Sequence, residues 1–252
     1  MKFRTPYKEE LERVIGRTDT VLYRQGTWQS TADNLVSDAI RNRTGRNIAI
    51  TQPGRYGAAI LPGPITVEDV YNLVPLESPI YEMKFNDRDL RSMFEDALDN
   101  VIDKDALERV GGNMWRYSSI DLAIDLSKSY PNRIQKIQIG SEPAKDDKLY
   151  SLAEFNMFFR NSPFAVEVEK TNRIGPHEVI AYIEEQNEIA PSLDERLTDK
   201  HGNIMGDHTH LHQVWEETGR NEIDIDRSRF YQYRGAVDKD GRLSVMSNWH
   251  SQ

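Results

Sequence analysis

Between Ala49 and Pro75 the chain reads AITQPGRYGAAILPGPITVEDVYNLVP, with prolines at 53, 62, 64 and 75 and glycines at 54, 57 and 63. Proline fixes φ, gives up its N–H and biases the preceding residue away from the helical region, so neither a helix nor a central strand can run through residues 53–64. The stretch is a constrained loop between two regular elements. NIAIT before it is a short β-rich strand, and Thr66 after it caps a helical turn or two over VEDVYNLV. Arg55 stands in the middle of this stiff backbone. A guanidinium carried on such a loop loses little entropy when it presents its planar fork to an anion.

The elements around the loop interleave. Residues Pro6 to Ile15 read as a short helix, and Thr18, Thr20, Val21, Leu22 and Tyr23 suit a strand. STADNLVSDAIRNRTG opens on the caps Ser30 and Thr31, carries an apolar stripe at Leu35, Ala39 and Ile40, and stops at Gly45. PIYEMKFN alternates as a strand, and DRDLRSMFEDALDNVID turns Leu90, Met93, Phe94, Ala97, Leu98 and Val101 to one helical face. Beyond Gly111 and Gly112, SSIDLAIDL, RIQKIQIG and KLYSLAEFN predict successive strands, and GPHEVIAYIEEQN predicts a helix begun at Gly175 and Pro176. The class is mixed α/β, of the α+β kind, with a mixed sheet and helices over residues 1–187. Residues 188–252 lose the apolar periodicity and form a polar extension, in which RFYQYRGAVDKDGRLSVMSNW predicts a β-hairpin about an Asp-Gly turn.

Composition excludes several functions. A net charge of −9 with scattered basic residues disfavours nucleic acid as a partner. With no cysteine the chain has no disulfide, thiolate nucleophile or Cys-based zinc site. No apolar run approaches the roughly 20 residues that span a bilayer, and the first sixteen residues lack a secretory apolar core, so neither a membrane partner nor a signal peptide is expected.

Four segments in order carry a resemblance: ERVIGRTDTVLYRQGTWQSTADNLVSDAIR, IAITQPGRYGAAILPGPITVEDVYNLVP, GGNMWRYSSIDLAIDL and RIQKIQIGSEPAKDDKLYSLAEFN. Over roughly residues 11 to 185 the chain resembles the C-terminal domain of the 5'-nucleotidase family, and within it the SoxB thiosulfohydrolases of bacterial sulfur oxidation. The resemblance implies that a metallophosphoesterase domain supplies two divalent, manganese-type metals, and that the chain itself holds no cofactor. It also implies a periplasmic setting. By the same likeness Arg55 falls on the arginine of the family's Gly-x-Arg motif, and Arg24 on a second anion-binding position. Asn113 and Arg116 lie in a loop that would face the same site. Where nucleotidase relatives sandwich a base between aromatic rings, this chain has Leu76, Ser78 and Met157, and RNSPF replaces a Gly-Gly-Asp-Gly element. A small oxyanion or sulfur-linked substrate is therefore expected rather than a nucleotide.

The residues leave other readings open. His208, His210 and His212 alternate and would share one face of a strand, as a transition-metal site requires, or else belong to a solvated loop. Asp87, Asp89, Asp103 and Asp105 read as helix-terminal or exposed charges, since no His or nucleophile accompanies them. Trp115, Tyr117, Phe158 and Phe159 read as core. Two functions fit the whole: the substrate-binding part of a hydrolase whose metal domain lies on other sequence, or a non-catalytic scaffold that retains the domain.

Overall fold

A computed structural model describes residues 4–54, 59–102, 113–157 and 159–206. Arg55, Asp103, Asp105, Phe158, the three histidines at 208, 210 and 212 and the expected hairpin lie outside the described residues.

After a 3-10 turn at Thr5–Tyr7 come α1 (Lys8–Leu11), β1 (Val14–Thr18), α2 (Thr31–Thr44), β2 (Ile48–Thr51), β3 (Gly63–Thr66), α3 (Val67–Leu73), β4 (Pro79–Phe85) and α4 (Asp87–Ile102). The second half supplies β5 (Arg116–Ser118), β6 (Ile120–Ile124), β7 (Ile134–Ile139), β8 (Glu142–Pro143), β9 (Tyr150–Phe155), β10 (Val166–Ile174), α5 (Gly175–Gln186), β11 (Glu188–Ile189) and β12 (Leu197–Asp199).

The architecture is α+β, and its helices begin and end for local reasons. Ser30 Oγ accepts the Asp33 N–H at the start of α2, and Gly45 at φ 66 ends it. Thr66 and Asp69 form a reciprocal capping box on α3. Asn86 Oδ1 takes the Asp89 N–H at the start of α4, so Asp87 and Asp89 are first-turn residues as the sequence predicts.

A five-stranded sheet in the order β10-β4-β9-β2-β5 divides the core. β2 and β9 run parallel, and the other pairings are antiparallel. Against one face lie α2, α3 and α5, burying Leu35, Ala39 and Ile40 with Ala153, Phe155 and Ile183. Against the other lie α4 and a second sheet, β12-β6-β7-β8, burying Leu90, Phe94 and Leu98 with Ile120, Leu122 and Ile137. A third sheet, β11-β1-β3, completes the fold.

Three differences from the sequence reading have physical causes. β1 lies at Val14–Thr18, earlier than the strand expected around residues 18–23. The Thr18 hydroxyl donates to the Thr20 carbonyl at 2.8 Å and accepts the Thr20 N–H, which turns the chain out of the strand. β10 has no counterpart in the reading, because VEVEKTNRI is an edge strand exposed along most of its length and lacks an apolar face. Packing also runs past residue 187. β11 pairs with β1 and β12 with β6, both parallel, while Gln29 Nε2 donates to the carbonyls of Asp194 at 2.9 Å and Met205 at 3.3 Å. Asn34 Nδ2 holds the Ser192 carbonyl at 2.9 Å, and Arg196 bonds Asp38 on α2 and the Tyr117 carbonyl on β5. Polar side chains make many of these attachments, and the buried apolar residues Ile189, Leu197 and Met205 are too widely spaced to form a periodic stripe, so hydrophobic periodicity does not announce them.

α5 reaches the sheet through Gly175, where an added Cβ would meet Phe155 Cε2 at 2.0 Å. Gly175→Ala must displace this buried ring, and we expect a loss of about 1–3 kcal/mol in chemical denaturation. A variant as stable as the parent would show that Phe155 has room to move.

Candidate functional site

At the amino end of α2, Asp33 is wholly buried between two arginines that are distant in sequence. Arg24 Nε donates to Asp33 Oδ1 at 2.7 Å, and Arg116 Nε to Oδ2 at 2.8 Å. Ser30 Oγ donates to Oδ2 at 2.7 Å, and the Gly54 N–H reaches Oδ1 at 3.3 Å. One carboxylate thus joins a helix start, strand β5, the segment after β1 and the proline-glycine loop.

The remaining guanidinium donors turn to backbone carbonyls. Arg24 bonds the Leu73 carbonyl, and that of Gln52 at 3.1 Å. Arg116 bonds the carbonyls of Gly26 and Trp28. The two side chains are only 5% and 1% exposed. The sequence predicts both arginines on a bound anion. The structure instead places them in the interior, with their forks engaged by Asp33 and main chain. One buried carboxylate is thus shared by two buried guanidinium groups, and main-chain carbonyls accept further donors from each.

Glycine is obligatory at one point of this assembly. A Cβ at Gly54 would lie 2.0 Å from Arg24 Nε. The loop therefore rests directly on the Arg24 guanidinium at the residue before Arg55. Asn113 is half-buried, and the next residue, Met114, donates its N–H to the Thr27 carbonyl at 2.8 Å. So residues 24–28, 52–54 and 113–116 meet at one end of the sheet.

At this same end β9 leads into a turn fixed by Arg160. Its N–H donates to Glu154 Oε2 at 2.8 Å, its guanidinium bonds the same carboxylate and the Met157 carbonyl, and it lies 4.5 Å over the Tyr81 ring. Burial pushes the Glu154 carboxyl above its usual range, against the pull of Arg160. Met157 packs against the core, whereas Leu76 is exposed. Trp115 and Phe159 meet edge to face at 4.6 Å within the core cluster, and Tyr117 meets Phe94 at 5.2 Å. Two surface hollows, one beside Val14 and Glu184 and one beside Arg91 and Pro131, are lined by none of the predicted site residues.

Among the described residues no three His, Asp or Glu side chains are placed to share a metal ion. Two guanidinium groups already bonded to Asp33 do not leave its carboxylate to a cation either. Nor is any helix among them long and apolar enough to cross a membrane.

Residues 14–160 match the model of the family described as 5'-nucleotidase, C-terminal domain. The trifunctional nucleotide phosphoesterase protein YfkN of Bacillus subtilis (strain 168) is 27% identical over 147 residues, covering 54% of this chain and 10% of that protein. Of solved structures, the sulfate thiohydrolase SoxB of Thermus thermophilus superimposes with a TM-score of 0.72 at 20% identity, over 80% of this chain and 38% of that one. A 5'-nucleotidase precursor, also from Thermus thermophilus, gives 0.64 at 20% identity, over 79% and 41%. The NAD nucleotidase of Haemophilus influenzae gives 0.65 at 15% identity, over 79% and 40%. The chain thus spans about a tenth of the curated relative and about two fifths of these solved chains. At such identities the solved structures establish the fold.

The Asp33 assembly generates a stability prediction. Asp33→Ala removes the carboxylate that two buried guanidinium groups share, and breaking a buried pair of this kind costs about 3–5 kcal/mol. Urea denaturation should show a loss of that order; a change below about 1 kcal/mol would mean that the other partners of the two guanidinium groups suffice to hold them.

Proposed function

Because the chain belongs to the 5'-nucleotidase C-terminal domain family, whose model matches more than half of it, we propose that it is the substrate-binding part of a metal-dependent hydrolase. The substrate class is a small oxyanion or a sulfur-linked compound, as in the SoxB branch. The metal chemistry would come from a metallophosphoesterase domain on other sequence. The described residues do not fit a two-metal centre, so no step of the reaction is assigned to them.

The observation that carries this reading is the seating of Gly54. Its N–H is held by Asp33 and its Cα lies against Arg24, so the backbone entering Arg55 is fixed from the interior. Arg55 is then the anion-binding arginine, Asn113 a second contact, and Arg24 and Arg116 the support behind them. An arginine aimed by its backbone binds an oxyanion with little entropic loss. Leu76 and Met157, where base-stacking rings are expected in nucleotidases, favour a compact anion over a nucleotide.

Titration calorimetry with sulfate, phosphate and thiosulfate tests this, on the chain alone and with any metallophosphoesterase partner that co-purifies. A charge-assisted hydrogen bond contributes about 1.5–3 kcal/mol, so Arg55→Ala should weaken binding roughly ten- to a hundredfold. Arg55→Lys should recover part of the loss, since an ammonium keeps the charge without the planar fork. Unchanged affinity in Arg55→Ala would remove the oxyanion site, and failure of the parent to bind any of the three anions would favour the scaffold.

A further inference from the structure

The chain that leads into β1 lies back against the domain, although segments without packed side chains ordinarily fray. Every residue from Arg4 to Glu10 is exposed and Leu11 is half-buried, and neither the 3-10 turn at Thr5–Tyr7 nor α1 buries a residue. Hydrophobic burial therefore contributes little to its position. Two arginines tie it down, each bridging two carboxylates. Arg4 donates from Nε to Glu68 Oε1 on α3 at 3.0 Å, with Nη2 on the second oxygen, and from Nη1 to Glu12 at 3.2 Å. Arg13 holds Glu10 through Nε at 3.2 Å and Nη2 at 2.9 Å, and Glu184 on α5 through Nη1. Pairs that are bidentate and joined into networks are the surface ion pairs that fix a geometry.

The pivot is equally well defined. The Arg13 carbonyl accepts the Val67 N–H at 3.1 Å, and Val14 opposite Thr66 opens the β1–β3 ladder, so the chain is fixed from residue 13 onward. Residues 4–12 form an arm ahead of that point. The side chains that dock it are open to solvent: Arg4 and Glu68 are 42% and 38% exposed, and Arg13 and Glu184 43% and 41%. The range over which such charges act shrinks from about 30 Å at 0.01 M salt to about 3 Å at 1 M, whereas the ladder behind Arg13 is not screened.

We propose that residues 4–12 are an ionic-strength latch, docked on α3 and α5 in dilute salt and swung away about Arg13 as the two arginine networks are screened. Release changes the direction from which the chain enters β1. It also uncovers Leu11, which packs against the core cluster beneath α2, α3 and α5. The latch is independent of the oxyanion site.

Hydrogen exchange followed by mass spectrometry on the full chain reads the arm directly, because the exchange rate of a docked amide tracks the open fraction. In the parent, raising sodium chloride from about 20 mM to about 1 M should speed exchange across residues 5–12 about three- to tenfold, the range of two exposed ion-pair networks. Amides inside α2 and α5 should not change. The variant carrying Glu68→Gln and Glu184→Gln should exchange in dilute salt as fast as the parent in concentrated salt, with most of the salt dependence gone. Its melting temperature should stay within about 2 °C of the parent's, as for surface substitutions. Arm amides of the parent that exchange equally at both salt concentrations, slow throughout or fast throughout, overturn the latch. So does a double variant that keeps parental protection, and so does an acceleration shared by α2 and α5, which would mean that the whole domain opens.

Discussion

Asp33 is the contact on which this end of the molecule depends. Its two oxygens gather Arg24, Arg116, Ser30 and the Gly54 N–H, so four segments that hydrophobic packing alone would leave free to slide are locked in one arrangement. Burying three charged side chains is expensive. The cost is offset by short charge-assisted bonds in a low-dielectric setting and by carbonyls that take up the remaining donors. Such an assembly adds less to stability than its bond count suggests, and more to uniqueness: an alternative register of β5 or of the loop would strand a buried charge.

The apolar half of the fold was legible, and the polar half was not. α2 and α4 were readable from their stripes, because Leu35, Ala39 and Ile40, and Leu90 through Val101, repeat at the helical period and are all buried. Thr66 and Gly45 were readable as helix ends. Asp33 was not singled out, since an acidic residue in a first turn reads as a cap or a dipole partner, and its arginines lie 9 and 83 residues away. One signal was present: Asp33 flanks the stripe of Ala32, Leu35 and Val36, where a charge is out of place unless it has a buried partner. The Asn156–Gln52 link spans 104 residues between amides, which carry no periodicity at all.

The fate of Arg24 and Arg116 separates residue type from role. A guanidinium suits a ligand anion and a buried carboxylate equally well, and what decides between them is whether the carboxylate is in reach. Family position brings an arginine to the right end of the sheet. The presence of Asp33 turns two of them inward, where Arg24 meets the entrance of the proline-glycine loop and Arg116 ties β5 to the segment before α2.

The parallel pairings of β11 with β1 and β12 with β6 bear on how the protein is made. Thr20 is tied to the Pro191 carbonyl across 171 residues, and Gln29 to that of Met205 across 176. Contacts of such separation are the slowest to form, because the closure entropy of a long loop precedes any gain. On a ribosome, β1 can pair with β3 early, but its second neighbour β11 and the carbonyls held by Gln29 exist only once almost the whole domain has emerged. Until then the sheet edge at β6 stands open, a template for pairing with neighbouring chains. Synthesis that stalls before residue 190 would release a chain with its amino-terminal strand unpaired on one side, a species suited to chaperone capture rather than to folding by itself.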